Sequence, residues 1–356
     1  MHVADQPQQR ERRHNGLGFL RLAFASMVIA AHVPEIVDVS DDRELLYSLT
    51  ANATLSTLAL PGFFIISGFL ISQSFQASPG IGAYLLKRAA RIYPALIVAS
   101  LLCMLVVAPL AGADLGQLTL HNVVAGVARA AILSRPVIYG AFPGQHYNDP
   151  HSALDGPIWT IQYEFACYLL VIVLGSQGLL RRPAVLATAS VVCLIASLAM
   201  PAGRFGWLSH PDLFAGVPGM GVLLLGMFLA GATFASVQER VPVSRGGVVA
   251  AAAILIASLF SHVLTPFGLA ICGTYLIFAF AQAAGDTAFG RINNRNDISY
   301  GVYLYGWPAE QLLIRYMGSG SLVLLGVLTW AIAAVLGTAS WFLVERPALA
   351  FAKRWR

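Results

Sequence analysis

The sequence predicts an all-α, polytopic integral membrane protein, a helix bundle of about ten transmembrane helices with both termini in the cytoplasm. Three observations predict it. Of the 356 residues, 57% are hydrophobic and only 11% charged, where a soluble domain carries roughly a quarter charged residues. Apolar runs of about twenty residues follow one another, each long enough to cross a hydrocarbon core of roughly 30 Å. The basic residues sort to one side of those runs, as the positive-inside bias requires.

The runs fall at 17–37, 57–77, 92–112, 157–177, 183–201, 216–236, 247–264, 266–284, 298–317 and 321–344. With the amino terminus inside, most of the 22 Lys and Arg residues lie on the cytoplasmic side, among them Arg10, Arg12, Arg13, Lys87, Arg88, Arg91, Arg181 and Arg182; Arg43, Arg129, Arg135, Arg204 and Arg315 fall outside. The first run has basic residues before it, but it is too long for the core of a signal peptide and lacks a small-residue cleavage site, so it is read as a permanent helix. The longest connection, 112–156, joins an amphipathic stretch from Leu115 to Leu133 to a polar tail with His146, Tyr147 and His151. Long structured loops are commonly functional, and this one is the expected acceptor contact. The chain divides into a basic cytoplasmic tail (1–16), one transmembrane domain (17–347) and a short basic tail (348–356).

Composition excludes other classes. The net charge of +5 comes from residues scattered at run ends and never from one stripe, which argues against a nucleic-acid partner. Cys103, Cys167, Cys193 and Cys272 sit in apolar runs without CxxC spacing and read as small buried hydrophobes. No metal site is expected: His146 and His151 have the wrong spacing and no nearby cysteine.

Charges inside the runs carry the functional reading, because an ionisable group in hydrocarbon is costly unless paired or hydrated. Arg21 and His32 share one face of the first run: eleven residues return a helix to within about 20° and separate the two by about 16 Å. Arg21 also fits a side chain snorkelling to the interface, and His32 fits an interhelical hydrogen bond. Gln162 and Glu164 in IWTIQYEFACYLL lie at a depth comparable to His32. A His32–Glu164 pair would make the imidazole a better general base for a hydroxyl, while a purely structural Glu164 is the alternative. In LLKRAARIYPAL, Arg88 and Arg91 project from one face beside Lys87, an arrangement suited to phosphate and also to anionic lipid.

Six motifs in order, FFIISGFLI, RAARIYP, PIWTIQYE, ISYGVYLYGWP, VERP and the Arg21/His32 spacing, resemble the acyltransferase-3 family of integral membrane O-acyltransferases from Leu17 to Pro347. The resemblance implies transfer of an acyl group, commonly acetyl, from cytoplasmic acyl-CoA to a hydroxyl of a surface polysaccharide, lipid-linked sugar or related glycoside in the bacterial inner membrane. It implies acyl-CoA as a co-substrate and no permanently bound cofactor. It puts His32, Glu164 and Arg21 in catalysis and Arg88, Arg91 and Lys87 at the donor phosphates. Ser67, Trp159, Tyr303 and Trp307 are the expected substrate contacts, the aromatics by stacking on sugar or by packing helices. Gly306 stands where many relatives have histidine, so no role carries over to it. The alternative function is a transporter or flippase of a lipid-linked or acylated glycan, for which the same charges would mark a permeation path; a scaffold without activity is a third.

Overall fold

In the computed structural model, residues 16–38, 40–134, 154–200, 218–285 and 287–354 are described. Within them the chain is all-helical, with no strand. The expected basic tail with Arg10, Arg12 and Arg13, the loop residues Arg135, His146, Tyr147 and His151, and Arg204 and Arg356 lie outside the described residues.

The principal helices are α1 (Leu17–Asp38), α2 (Leu55–Gln76), α3 (Ile81–Leu110), α4 (Trp159–Ser176), α5 (Pro183–Leu198), α6 (Pro218–Val237), α7 (Arg245–Ser258), α8 (Thr265–Ala283), α9 (Ser299–Met317) and α10 (Leu322–Arg354). Among the described residues, seven helical segments are long and apolar enough to cross a membrane. The α5 and α7 helices are apolar but shorter. The α9 helix has the length but carries Glu310, Gln311 and Arg315.

The boundaries follow local chemistry. Thr54 and Thr57 form a reciprocal capping box at the start of α2, satisfying two otherwise orphaned N–H groups. Ser244 and Ser321 cap α7 and α10, and Pro183 opens α5 where a missing N–H costs nothing. Before α2, the buried Glu44 carboxylate accepts from Tyr47 N (2.7 Å) and Leu55 N (3.1 Å), fixing the turn between the short helix Leu45–Thr50 and α2. The amphipathic stretch expected after α3 is the helix Leu120–Ala131.

One boundary differs from the sequence expectation. The third helix begins at Ile81, not near residue 92, so Lys87, Arg88 and Arg91 lie within it and not at its entrance. A pure hydropathy reading stops at the arginines. The fold continues through them because they face a cavity and charged partners, which removes the cost that would otherwise end the helix.

Packing relies on small residues where backbones meet, as bilayer helices require. On α2, a Cβ at Gly68 would lie 1.9 Å from Phe228 O, and on α6 a Cβ at Gly231 would lie 1.9 Å from Ile65 O. Glycine at both positions therefore lets α2 and α6 touch backbone to backbone. The α1 and α9 helices run parallel: Arg21 meets Asp297 just before α9, Ile29 meets Gly306, and His32 meets Trp307. These successive rungs frame the functional region.

Candidate functional site

A cavity of about 320 Å³ opens among α1, α2, α3, α4, α9 and α10, a size within the range of small-molecule sites. It follows α2 from Leu60 to Ile71, about 16 Å of helix at 1.5 Å per residue. One end is cationic, with Arg21, Arg88 and Arg91; Ser67, Glu164 and Tyr168 line the middle, and Thr160 and Tyr303 the far end.

Asp297 organises the cationic end. Arg21 Nη1 and Arg91 Nη2 (2.7 Å) both donate to its Oδ2, while Asn293 Nδ2 (3.0 Å) and Ser299 Oγ donate to Oδ1. Burial alone would push this carboxyl up; Arg21 and Arg91, helped by Ser299 and Asn293, outweigh burial and hold it well below the usual carboxylate range. Asn293 adopts a left-handed backbone (φ 55°), which its short polar side chain tolerates. Its amide also donates to Gly18 O at 2.9 Å, tying this turn to the start of α1. Arg91 is held a second time, by the fully buried Glu345 (3.1 Å), whose other oxygen accepts from Ser340 Oγ. Glu345 and the cavity-lining Trp341 bound a π-turn in α10, a deviation that concentrates at functional sites.

Arg88 differs. Among the described residues it has no carboxylate partner; its guanidinium lies over Tyr168 at 5.8 Å, reaches Ser74 Oγ only at 3.5 Å, and its Nε is buried without a hydrogen bond. The three inner basic residues expected to act together are therefore split. Among the described residues Arg88 lacks a carboxylate partner and lines the cavity, Arg91 is engaged by two carboxylates, and Lys87 Nζ donates to Ser78 Oγ at 2.9 Å and does not line the cavity. Arg21, expected as a catalytic residue, lines the cavity but is bound to Asp297.

The expected His32–Glu164 pair does not form. His32 Nδ1–H donates to Glu35 Oε2 at 2.8 Å, one turn on along α1, and its ring packs edge-on to Trp307 with centroids 4.8 Å apart. Glu164 instead accepts from Ser67 Oγ (3.2 Å) and Tyr168 OH. The physical reason is proximity: Glu35 needs no second helix to reach the imidazole, since residues three apart share a helix face. Nor does His32 line the cavity with Arg21. Tyr303 stands at the cavity end, its hydroxyl donating to Pro157 O (3.0 Å) and meeting Thr160 Oγ1 at 2.6 Å. Trp307, and with it His32, lies one turn further along α9, about 6 Å.

Of the expected substrate contacts, Ser67 and Tyr303 line the cavity. Trp307 covers Gly156, where a Cβ would lie 2.8 Å from the indole. Trp159 packs edge-on to Tyr163 at 5.7 Å and is outside the cavity lining. Asp297, Tyr168, Tyr300 and Glu35 were not singled out from sequence. Glu35 was open to detection as an acid three residues after His32; Asp297, just before ISYG, was visible only as a charge at a span edge. Among the described residues no group of three or more His, Cys, Asp or Glu side chains is arranged to hold a metal.

Comparison with known proteins gives a consistent picture. A family model described as an acyltransferase domain, that of acyltransferase-3, matches residues 14–346. The chain is 28% identical over 335 residues to an O-acetyl transferase of Shigella phage Sf6, covering 92% of this chain and 93% of that one. It is 25% identical over 377 residues to nodulation protein 10 of Rhizobium leguminosarum bv. viciae, covering 94% and 93%. No solved structure matches it.

Proposed function

Because the chain belongs to the acyltransferase-3 family, we propose that it transfers an acyl group, acetyl foremost, from cytoplasmic acyl-CoA to a hydroxyl of a surface polysaccharide, lipid-linked sugar or related glycoside. The observation that carries this reading is Arg88. Among the described residues it is a guanidinium without a carboxylate partner, at the mouth of a cavity about 16 Å long. Guanidinium forms forked, charge-assisted bonds to phosphate oxygens, so Arg88 would hold the nucleotide end of the donor while the thioester arm extends along α2. Arg21 and Arg91, neutralised by Asp297 and Glu345, shape that mouth and support its field.

At the other end, Nδ1 of His32 is engaged by Glu35, which leaves Nε2 as the base. The acceptor O–H gives its proton to Nε2, its oxygen attacks the thioester carbonyl carbon, the C–S bond breaks, and the thiolate leaves with the proton returned by His32. Glu35 orients the imidazole and stabilises the imidazolium. The arm reaches this base once the Tyr303 side chain turns away from Thr160 and Pro157. Trp307, beside His32 and Gly156, supplies an aromatic face for the acceptor.

The same reading takes the protein as a ten-span protein of the bacterial inner membrane with both termini cytoplasmic. The parallel course of α1 and α9 supports an odd-numbered position for α9 when α5 and α7 cross. A purified preparation in detergent, given acetyl-CoA and candidate glycans, tests the function. Acceptor-dependent thiol release that disappears in His32→Gln, with CoA binding retained, is expected. Release that persists in His32→Gln, or wild-type protein that moves glycan without consuming acyl-CoA, overturns the reading.

A further inference from the structure

Most polar groups that line the cavity are already engaged. Arg21, Arg91 and Ser299 are bound to Asp297. Tyr300 OH donates to Ile92 O at 3.2 Å, Trp341 Nε1 donates to Asn296 Oδ1 at 3.3 Å, and Thr160 and Tyr303 are engaged with each other and with Pro157 O. Two positions stand open among the described residues: the Arg88 guanidinium at the mouth and one oxygen of Glu164 midway along. Ser67 Oγ (3.2 Å) and Tyr168 OH both donate to Glu164 Oε1, whereas Oε2 takes no hydrogen bond among the described residues. Two donors on one oxygen fix the carboxylate and leave the other oxygen as an acceptor for whatever fills the cavity.

Tyr168 sets the spacing between the two open positions. Its ring lies beside Arg88 at 5.8 Å and its hydroxyl reaches Glu164, so cation and acceptor stand no more than about two helical turns apart, roughly 11 Å. The α2 wall along this stretch is largely apolar, with Phe64, Ile66, Leu70 and Ile71. A matching ligand carries an anion and then, within that span, an uncharged chain with an O–H or N–H donor. The arm of acyl-CoA has this order: phosphate, hydroxyl, two amide N–H groups, thioester.

We propose that Glu164 binds the donor arm, its Oε2 accepting a hydrogen bond from the hydroxyl or first amide N–H of pantetheine while Arg88 holds the phosphate. The inference rests on the acyl-transfer reading and deepens it. Glu164, expected from sequence beside the base, is assigned instead to recognition of the donor. Glutamine at this position has the same shape but the wrong chemistry. Its amide oxygen stays with Ser67 and Tyr168, so its NH2 meets the donors of the arm and repulsion replaces a hydrogen bond.

The test is calorimetric titration of the full-length protein in detergent with CoA and with adenosine 3′,5′-bisphosphate, a nucleotide that lacks the arm. Glu164→Gln should weaken CoA about tenfold or more and leave the bisphosphate within about twofold of wild type, while Arg88→Met should weaken both. Unchanged CoA affinity in Glu164→Gln, or an equal loss for CoA and bisphosphate, overturns the proposal. The first result would return Glu164 to a role outside donor binding, and the second would make it a support for Arg88 through Tyr168. Two CoA analogues on wild-type protein decide the point should the variant not fold, one without the pantoyl hydroxyl and one methylated at the first amide nitrogen. One of them should bind about tenfold or more weakly than CoA, and equal binding of both overturns the proposal. Wild-type protein that binds neither CoA nor the bisphosphate defeats the acyl-CoA reading itself, and this inference with it.

Discussion

Arg88 and Arg91 are three residues apart on one helix, yet they should respond to the same substitution in opposite ways. Arg91→Met leaves Glu345, 0% exposed, with Ser340 as its remaining donor, and leaves Asp297 with Arg21 as its remaining guanidinium. Removing one partner of a buried ion pair costs about 3–5 kcal/mol. Arg91 serves two such pairs, so the expected loss lies at the upper end of that range. Arg88→Met breaks no ion pair among the described residues, only one long contact of 3.5 Å and a cation–π contact with Tyr168 at 5.8 Å, so its effect on stability should stay at about 1 kcal/mol. Donor affinity should reverse the order. One charge-assisted hydrogen bond contributes about 1.5–3 kcal/mol, which at 1.4 kcal/mol per decade is roughly a 10- to 150-fold loss in CoA affinity for Arg88→Met. Thermal unfolding in detergent and calorimetric CoA titration measure the two quantities. The double variant Arg91→Met/Glu345→Leu should recover most of the lost stability, since replacing a whole buried pair by apolar groups is often neutral. Equal melting losses in the two single variants, or unchanged CoA affinity in Arg88→Met, would refute the division of labour.

Three further outcomes follow from the same geometry. The Asp297 carboxyl is depressed, so its contribution to stability is present above the ordinary carboxylate value of about 3.9 and lost as pH falls through the lower folded value; acid unfolding should be shallower in Asp297→Asn. Asp155 is the opposite case. Burial pushes its carboxyl well up and, among the described residues, both oxygens lack partners, so its penalty grows as pH rises above the ordinary value, and Asp155→Asn should raise the melting temperature at pH 8, by about 1–3 kcal/mol of stability, with little change at pH 4. At Gly306 a Cβ would lie 2.9 Å from Ile29 Cγ1, so Gly306→Ala should cost about 1–3 kcal/mol through overpacking; paired with Ile29→Val, which shortens the opposing side chain, the loss should shrink.

How much of this was legible in the sequence depends on how far apart the interacting residues lie. Helices were legible because length and hydropathy are local: the expected start at 17 and the observed start at Leu17 agree. The third helix begins at Ile81, ahead of the apolar run expected from residue 92, because Arg88 and Arg91 face a cavity and charged partners that hydropathy alone does not register. Arg21 and Arg91 were visible as charges out of place, but their shared partner Asp297 lies 276 and 206 residues away, beyond any periodicity argument. Glu35 was different. It was accessible to the rule that singles out acids within apolar runs, and it follows His32 by three residues.

The parallel seam of α1 and α9 explains why distant charges bear on the base at all. Its first rung is the Arg21–Asp297 pair, its next the Ile29–Gly306 contact, and its last the His32–Trp307 contact. A slip of one residue along either helix would turn its side chains by about 100° and carry the imidazole, with the Glu35 carboxylate on its own helix, away from the indole across the seam. Leucine-rich faces alone tolerate such slips, because neighbouring apolar positions have similar shapes; a buried ion pair does not, and fixing register is the best-attested use of one. The glycine contact works in the same direction, since the residues flanking Gly306, Tyr305 and Trp307, could not take its place against Ile29. On this argument, the charges at one end of the cavity set the rotational position of His32 beyond the other, and a conservative Arg21→Lys exchange, which keeps the charge but loses the forked geometry, should lower kcat while leaving CoA affinity nearly unchanged. A variant that loses CoA affinity first would place Arg21 with Arg88 at the donor and remove it from the seam.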